Sequence, residues 1–433
     1  MARLEIRGGA LLRMVAEEGI IPEGVIAVED GTIVYAGAAD GYEGQEEPDE
    51  RLDASGCVAL PGLINAHTHC AMTLLRGHAD DMDLRPWLEE KIWPIEMKLE
   101  PEDVYWGVML GSVEMVKGGV TCFNDMYHYF EEGTRAAIDS GIRACPSGVL
   151  LGFLETAEDD LRKALEFTAG LARNGHPRIH PMLGPHAPYT CPDRLLRMVV
   201  EGAAEQGIAI HIHLAETKSE VEESREKHGL SPVEYLGKLG VFEVPVNAAH
   251  CVWLSDRDIE ILVERRVGVV HCPGSNLKLA SGIARVPELL DGGAVVGLGT
   301  DGTASNNNLD LLEEVRLAAL IHKVNLGDPK VVNAHDALAL ATTGSAAALG
   351  LDGLTGTLEV GKRADIAVFD LSGPHLAPGH NTVSDLVYAA RACDVRHTVV
   401  DGAVVVRDGQ YVYGDEEKII AEARTRAKRL VNS

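Results

Sequence analysis

The chain has 433 residues, 46% of them hydrophobic, and a formal net charge of −27, which is room for one large domain and a smaller one. Such a charge excludes nucleic acid and anionic membrane as expected partners, and no apolar run reaches the length of a bilayer span. No N-terminal stretch combines basic, apolar and cleavage regions, so a cytoplasmic location is expected. Residues 1–56 read as short strands (4–6, 25–28, 32–35) broken by Gly and Asp-Gly turns. Through residues 57–360 short apolar strands give way to helical stretches, with strand ends expected at His69, 124–125, 149–150, His186, Glu216, His250, 271–272 and Asp301. Helical patterns fall between them at 102–117, 157–173, 194–206, 219–239 and 256–265. Eight strands with intervening helices predict an α/β fold of the (β/α)₈ barrel type. Residues 361–433 return to hairpin chemistry at 364–370, 398–400 and 404–407, with Asp401-Gly402 and Asp408-Gly409 as turns, and close on an amphipathic helix over 416–431. Neither terminal piece can bury a core alone, so the two are expected to pair as one small β-sandwich.

Three of the strand ends carry metal-ligating side chains: Asn65-Ala-His67-Thr-His69, Ile210-His211-Ile-His213-Leu-Ala-Glu216 and Gly299-Thr-Asp301-Gly302. Residues i and i+2 of a strand point the same way, so His67 and His69 aim two imidazoles at one point. A third His and an Asp complete an N/O-rich set that suits Zn²⁺ with one position left for water. A barrel places its chemistry at the C-terminal strand ends, where every candidate ligand falls. The eight cysteines (57, 70, 122, 145, 191, 251, 272, 393) contain no CxxC and mostly lie in apolar runs, which reads as buried, reduced thiols.

Over nearly its whole length the chain resembles the amidohydrolase superfamily, and within it the methylthioadenosine/S-adenosylhomocysteine deaminases and their triazine-hydrolase relatives. The resemblance is carried by Pro61-Gly-Leu-Ile-Asn-Ala-His-Thr-His69, Trp93-Pro-Ile-Glu96, Gly184-Pro-His-Ala-Pro-Tyr189, His213-Leu-Ala-Glu-Thr217, Ala249-His-Cys-Val252, Gly299-Thr-Asp-Gly302 with Ser305-Asn-Asn307, and Gly361-Lys-Arg-Ala-Asp-Ile366. It implies His67, His69, His213 and Asp301 as metal ligands. Binuclear relatives bridge two ions with a modified Lys after strand four; here Gly184-Pro-His186 has none, so one divalent ion per chain, zinc above others, is expected. The lack of a Pro-Cys-x-x-Cys excludes the zinc deaminases that hold their metal by thiolates.

Glu216, three residues past His213, is implied as the general acid/base, Asp301 as a relay to departing ammonia, and His250 as the group that orients the attacking oxygen. His211 points to the same side as His213, but the family pattern uses only the second His of that pair, so it is expected behind the metal. The other histidines are expected on the surface or in the core, His271 being the nearest to a strand-end role. Glu96 matches the residue that accepts hydrogen bonds from ribose hydroxyls, a job suited to a carboxylate. His186 matches one that reaches the purine or ribose, and Trp87, Trp93 and Met72 are expected at the mouth.

One departure narrows the expected substrate. Relatives that bind S-adenosylhomocysteine resemble one another in carrying arginines after strand three, whereas residues 145–156 (CPSGVLLGFLET) have none. Without a guanidinium for the amino-acid carboxylate, a compact apolar 5′ group is favoured. The expectation is a zinc-dependent deaminase of adenosine-type nucleosides: 5′-methylthioadenosine or 5′-deoxyadenosine, then adenosine and S-adenosylhomocysteine. The alternative is a hydrolase of another amino- or chloro-substituted N-heterocycle, triazine or guanine, for which Glu96 would have no job. A non-catalytic scaffold relative is a third reading, disfavoured because no ligand is lost. The expected partner is the small-molecule substrate, in a homo-oligomer.

Overall fold

Eight largely buried segments pair in parallel at the centre of the chain: β1 (Leu63–Thr68), β2 (Val120–Tyr127), β3 (Arg143–Leu150), β4 (Met182–Pro185), β5 (Ile210–Leu214), β6 (Val246–His250), β7 (Gly268–His271) and β8 (Val295–Leu298). Each pairs with its neighbour in sequence. The computed structural model describes residues 2–16, 18–44 and 47–432. The ring closes where the Asp301 N–H donates to the His67 carbonyl at 3.0 Å. Closure requires glycine at 299, because a Cβ there would lie 2.8 Å from the His67 Cβ and 2.9 Å from its backbone N. Both faces of such strands are covered by side chains or helices, which is why they read as apolar runs rather than alternating ones.

The terminal segments build the sandwich. A four-stranded sheet (Thr32–Ala38, Gly24–Glu29, Arg3–Arg7, Glu50–Asp53) faces a six-stranded one (Gln410–Tyr411, Ala403–Arg407, Val395–Val400, Ile366–Asp370, Cys57–Pro61, Ala10–Leu11) among the described residues. One core of Leu4, Ile6, Ile26, Ile33, Leu52, Ile366, Val368 and Val399 draws on both ends of the chain. The expected boundary between residues 56 and 57 falls before the last N-terminal strand: Cys57–Pro61 pairs with Ile366–Asp370 along its whole length. We propose the division at Gly62. The helix expected over 219–239 is two helices, Lys218–His228 and Pro232–Leu239. Gly229 at φ +69° ends the first, and Ser231 opens the second with a capping box to Glu234.

Arg143, fully buried at the start of β3, fastens the barrel floor to the sandwich. It donates to Asp365 at 2.7 and 3.1 Å and to Asp401 at 3.1 Å. Asp365→Ala strands that guanidinium and is expected to lower unfolding free energy by about 3–5 kcal/mol. A denaturation midpoint within error of wild type would show that Asp401 alone holds the charge.

Candidate functional site

The ligand-bearing side chains meet above the C-terminal strand ends. His67 lies in β1 and His69 just past it, His213 in β5, His250 at the end of β6, and Asp301 three residues past β8. Left-handed backbone at Ala215 (φ +50°), His250 (φ +72°), Cys251 (φ +48°) and Asp301 (φ +62°) turns these strand ends inward. Such φ values cost non-glycine residues free energy and gather at functional sites. Ligand atoms of His67, His69 and His213 lie within 4.8 Å of one another, as do those of His67, His250 and Asp301.

The hydrogen bonds around the rings fix which nitrogen is bare. His69 Nδ1–H donates to the Met126 carbonyl and His213 Nδ1–H to the His186 carbonyl, both at 2.7 Å. Their Nε2 atoms therefore present lone pairs, and these face each other at 3.1 Å. Behind His67 runs a relay. The Ser147 hydroxyl donates to the Asp125 carbonyl at 2.7 Å, so its oxygen accepts from His211 Nδ1–H at 3.1 Å. His211 Nε2 is then the acceptor for His67 Nδ1–H at 2.7 Å, which leaves His67 Nε2 bare, buried and without a hydrogen-bond partner. Burial pushes the His67 pKa down to about 4 and those of His211 and His213 well below normal, keeping these imidazoles neutral.

Asp301 completes the set. Its Oδ1 lies 3.4 Å from His67 Nε2 and 3.3 Å from His69 Nε2, while Oδ2 accepts from the Ser275 and Ser305 hydroxyls at 2.6 and 2.8 Å. Facing lone pairs beside a carboxylate repel unless a cation sits among them. Neutral imidazoles plus one carboxylate are a zinc-type donor set, so the residues fit the ion. The His211 imidazole holds the His67 ring through that hydrogen bond, the place an outer partner of a metal-bound histidine takes. His211→Ala is expected to weaken zinc binding about 10–100-fold in a chelator competition; an unchanged affinity would remove the relay from the account.

One cavity joins these groups to the expected substrate contacts. It is lined by His69, Met72, Trp87, Trp93, Glu96, His186, His213, Glu216, His250 and Asp301. Glu216 Oε2 stands 3.8 Å from His250 Nε2, and His250 Nδ1–H donates to Asn276 Oδ1 at 2.9 Å. Glu220, one helical turn on, grips the bend: its oxygens accept from the N–H groups of Ala215 and Glu216 at 2.9 and 2.8 Å. Burial raises the Glu216 carboxyl above its ordinary range, and the nearby Asp301 charge adds to this against His250.

Glu96 follows a π-helical turn over Trp87–Ile92 in the short helix Trp93–Glu96. Burial pushes its carboxyl up, but His128, at 3.8 Å, and Tyr127 outweigh that and lower it. His186 packs its ring 4.7 Å from that of His213; burial drops its pKa to about 3. Glu220, Asn276 and Ser275 were not among the expected site residues, and His128, expected on the surface or in the core, stands beside Glu96. A Glu four residues after Glu216 at a helix start was the only legible hint of the first.

A family model described as the amidohydrolase family matches residues 58–405. The chain is 50% identical over 432 residues to a 5-methylthioadenosine/S-adenosylhomocysteine deaminase of Pelotomaculum thermopropionicum, covering 100% of both chains. It is 47% identical over 433 residues to a 5′-deoxyadenosine deaminase of Methanosarcina acetivorans, covering 100% of this chain and 99% of that one. Among solved structures it resembles a zinc-bound adenosine deaminase from Xanthomonas campestris, at a TM-score of 0.96 and 33% identity over 100% of this chain and 99% of the other.

Proposed function

The chain belongs to the amidohydrolase family and is a hydrolytic deaminase; from that premise we propose that it converts 5′-substituted adenosine nucleosides to their inosine analogues with one bound zinc ion. 5′-Deoxyadenosine and 5′-methylthioadenosine stand ahead of S-adenosylhomocysteine. The observation that carries this reading is the pair of carboxylates on one cavity, Glu216 beside the ligand cluster and Glu96 away from it. Their environments move them in opposite directions, one toward holding a proton and one toward staying an anion.

His67, His69, His213 and Asp301 would hold the ion, which when bound supplies the Lewis acidity that makes water a nucleophile near neutral pH. The absence of a lysine at the end of β4 favours one ion over two. Glu216 takes a proton from the attacking water and returns it to the ring nitrogen next to the amino-bearing carbon. The buried His250, anchored by Asn276, orients the oxygen for attack at that carbon. Asp301, steadied by two serine hydroxyls, takes the remaining proton of the attacking oxygen and hands it to the amino group as the C–N bond breaks, the carbonyl forms and ammonia departs. His186 borders the ring. Glu96 accepts from the ribose 2′- and 3′-hydroxyls, where an ionised carboxylate makes the stronger bonds.

Glu96→Gln tests the nucleoside part of this reading. Loss of charged hydrogen bonds worth about 1.5–3 kcal/mol is expected to lower kcat/KM for 5′-deoxyadenosine by one to two orders of magnitude. The same substitution should affect a ribose-free amino-heterocycle far less. Equal losses on both would place Glu96 in the frame of the site and remove the ribose from the argument.

A further inference from the structure

One buried acid near the site takes no part in the proposed chemistry. Glu314 is wholly buried in the first turn of the helix Leu311–Leu326, and both of its oxygens are taken. Oε2 accepts from the Gly274 N–H and Oε1 from the Asn306 side-chain amide, each at 2.8 Å. Both donors stand next to a serine: Gly274 precedes Ser275, and Asn306 follows Ser305. These are the two serines whose hydroxyls donate to Asp301 Oδ2, at 2.6 and 2.8 Å. A single carboxyl thus ties together the two segments that steady Asp301.

Local structure gives the tie its purpose. The short helix Pro273–Lys278 starts at Cys272 with no side-chain cap of its own, so Glu314 supplies from another helix the acceptor that this first turn lacks. A Cβ at 274 would run into the Glu314 carboxyl, so glycine is required there. On the other side, the Asn306 amide divides its N–H groups between Glu314 and the Thr300 carbonyl, the latter at 2.7 Å. It therefore pins the residue before Asp301 as well. Burial pushes the Glu314 carboxyl up to about 8, against the pull of its two donors. An acid held in a dry interior at such a cost marks a functional site more often than a filler of space.

We propose that Glu314 is a positioning residue for deamination, acting on Asp301 through Ser275 and Ser305. This rests on the nucleoside-deaminase reading above and deepens it. Glu314 does not line the catalytic cavity. It sets where the two hydroxyls meet Asp301 Oδ2, and hence the direction in which that carboxylate takes the oxygen's proton and passes it to the departing amine. The effect falls on kcat and leaves KM alone, because ring and ribose are held by other groups. Glutamine cannot replace Glu314: its amide accepts with one oxygen and turns an NH₂ toward the second donor. A flip of Asn306 to meet that NH₂ would set Oδ1 against the Thr300 carbonyl.

The test is a mutant cycle on 5′-deoxyadenosine with zinc-loaded protein: Glu314→Gln in the wild-type chain, and again in a Ser275→Ala/Ser305→Ala background. In the first, kcat is expected to fall about 10–100-fold, the scale of a lost outer partner, with KM and zinc per chain at the wild-type level. In the second, the same substitution is expected to cost about threefold or less, because residues acting along one path do not add. The remainder reaches His250 through Asn276 on the same turn. Should Glu314→Gln fail to fold, Asn306→Ala, at a half-buried side chain, cuts the same tie and is expected to show the same dependence on the two serines. Equal factors in both backgrounds, a change confined to KM, or wild-type kcat in the first overturns the positioning role while leaving the deaminase intact. Wild-type protein that leaves the nucleoside unchanged would instead overturn the proposed function itself.

Discussion

Replacing Glu216 with glutamine should leave bound zinc at the wild-type level and lower kcat by about 10³-fold, within the range attributed to a positioned proton carrier. The amide keeps the size and one hydrogen-bond acceptor of the carboxylate but cannot take a proton from water or return it to a ring nitrogen. Glu216 is not among the four groups proposed to hold the ion, and its backbone is pinned independently, its N–H donating to Glu220 at 2.8 Å. The substitution therefore separates chemistry from assembly. Zinc content by mass spectrometry and kcat on 5′-deoxyadenosine decide it together: normal turnover would make Glu216 a structural residue, and lost zinc would make it part of the metal site.

His67→Ala should have the opposite profile, losing metal and activity together. His67 is buried with its Nε2 bare, and its ring is held by a relay running through His211 and Ser147 to the Asp125 carbonyl. Removing it breaks the donor set and leaves His211 without its hydrogen-bond donor. Metal binding and the preformed site are coupled, so zinc should fall from about one equivalent per chain to below about 0.1 after dialysis against a weak chelator. His213→Ala should match it, because His69 and His213 present the facing lone pairs. Two equivalents in active wild-type protein would contradict the single-ion assignment.

Much of this site was readable because strand geometry is regular. The His67/His69 spacing means convergence once the pair lies at a strand end, His213 closes another strand, and the apolar runs before them fix those ends. The barrel was equally readable, since eight strand-like runs separated by helical stretches leave few architectures. What escaped the sequence depends on contacts between distant segments. Nothing local to Cys57–Pro61 says that its partner is Ile366–Asp370 rather than a barrel strand. His211 became a positioning residue only when the hydroxyl of Ser147, on another strand, came within 3.1 Å. The break at Gly229 was visible as a glycine, but its left-handed backbone and the cap at Ser231 needed the fold.

Deamination of a 5′-substituted adenosine through a single metal ion is what we propose for this chain. Zinc-reconstituted protein incubated with 5′-deoxyadenosine, and separately with an amino- and a chloro-substituted triazine, tests it most directly when ammonia release is followed beside chromatographic identification of the product. The expected result is stoichiometric 5′-deoxyinosine and ammonia, activity saturating at one zinc per chain, and no comparable turnover of either triazine. Turnover of a triazine with the nucleoside untouched would contradict the account.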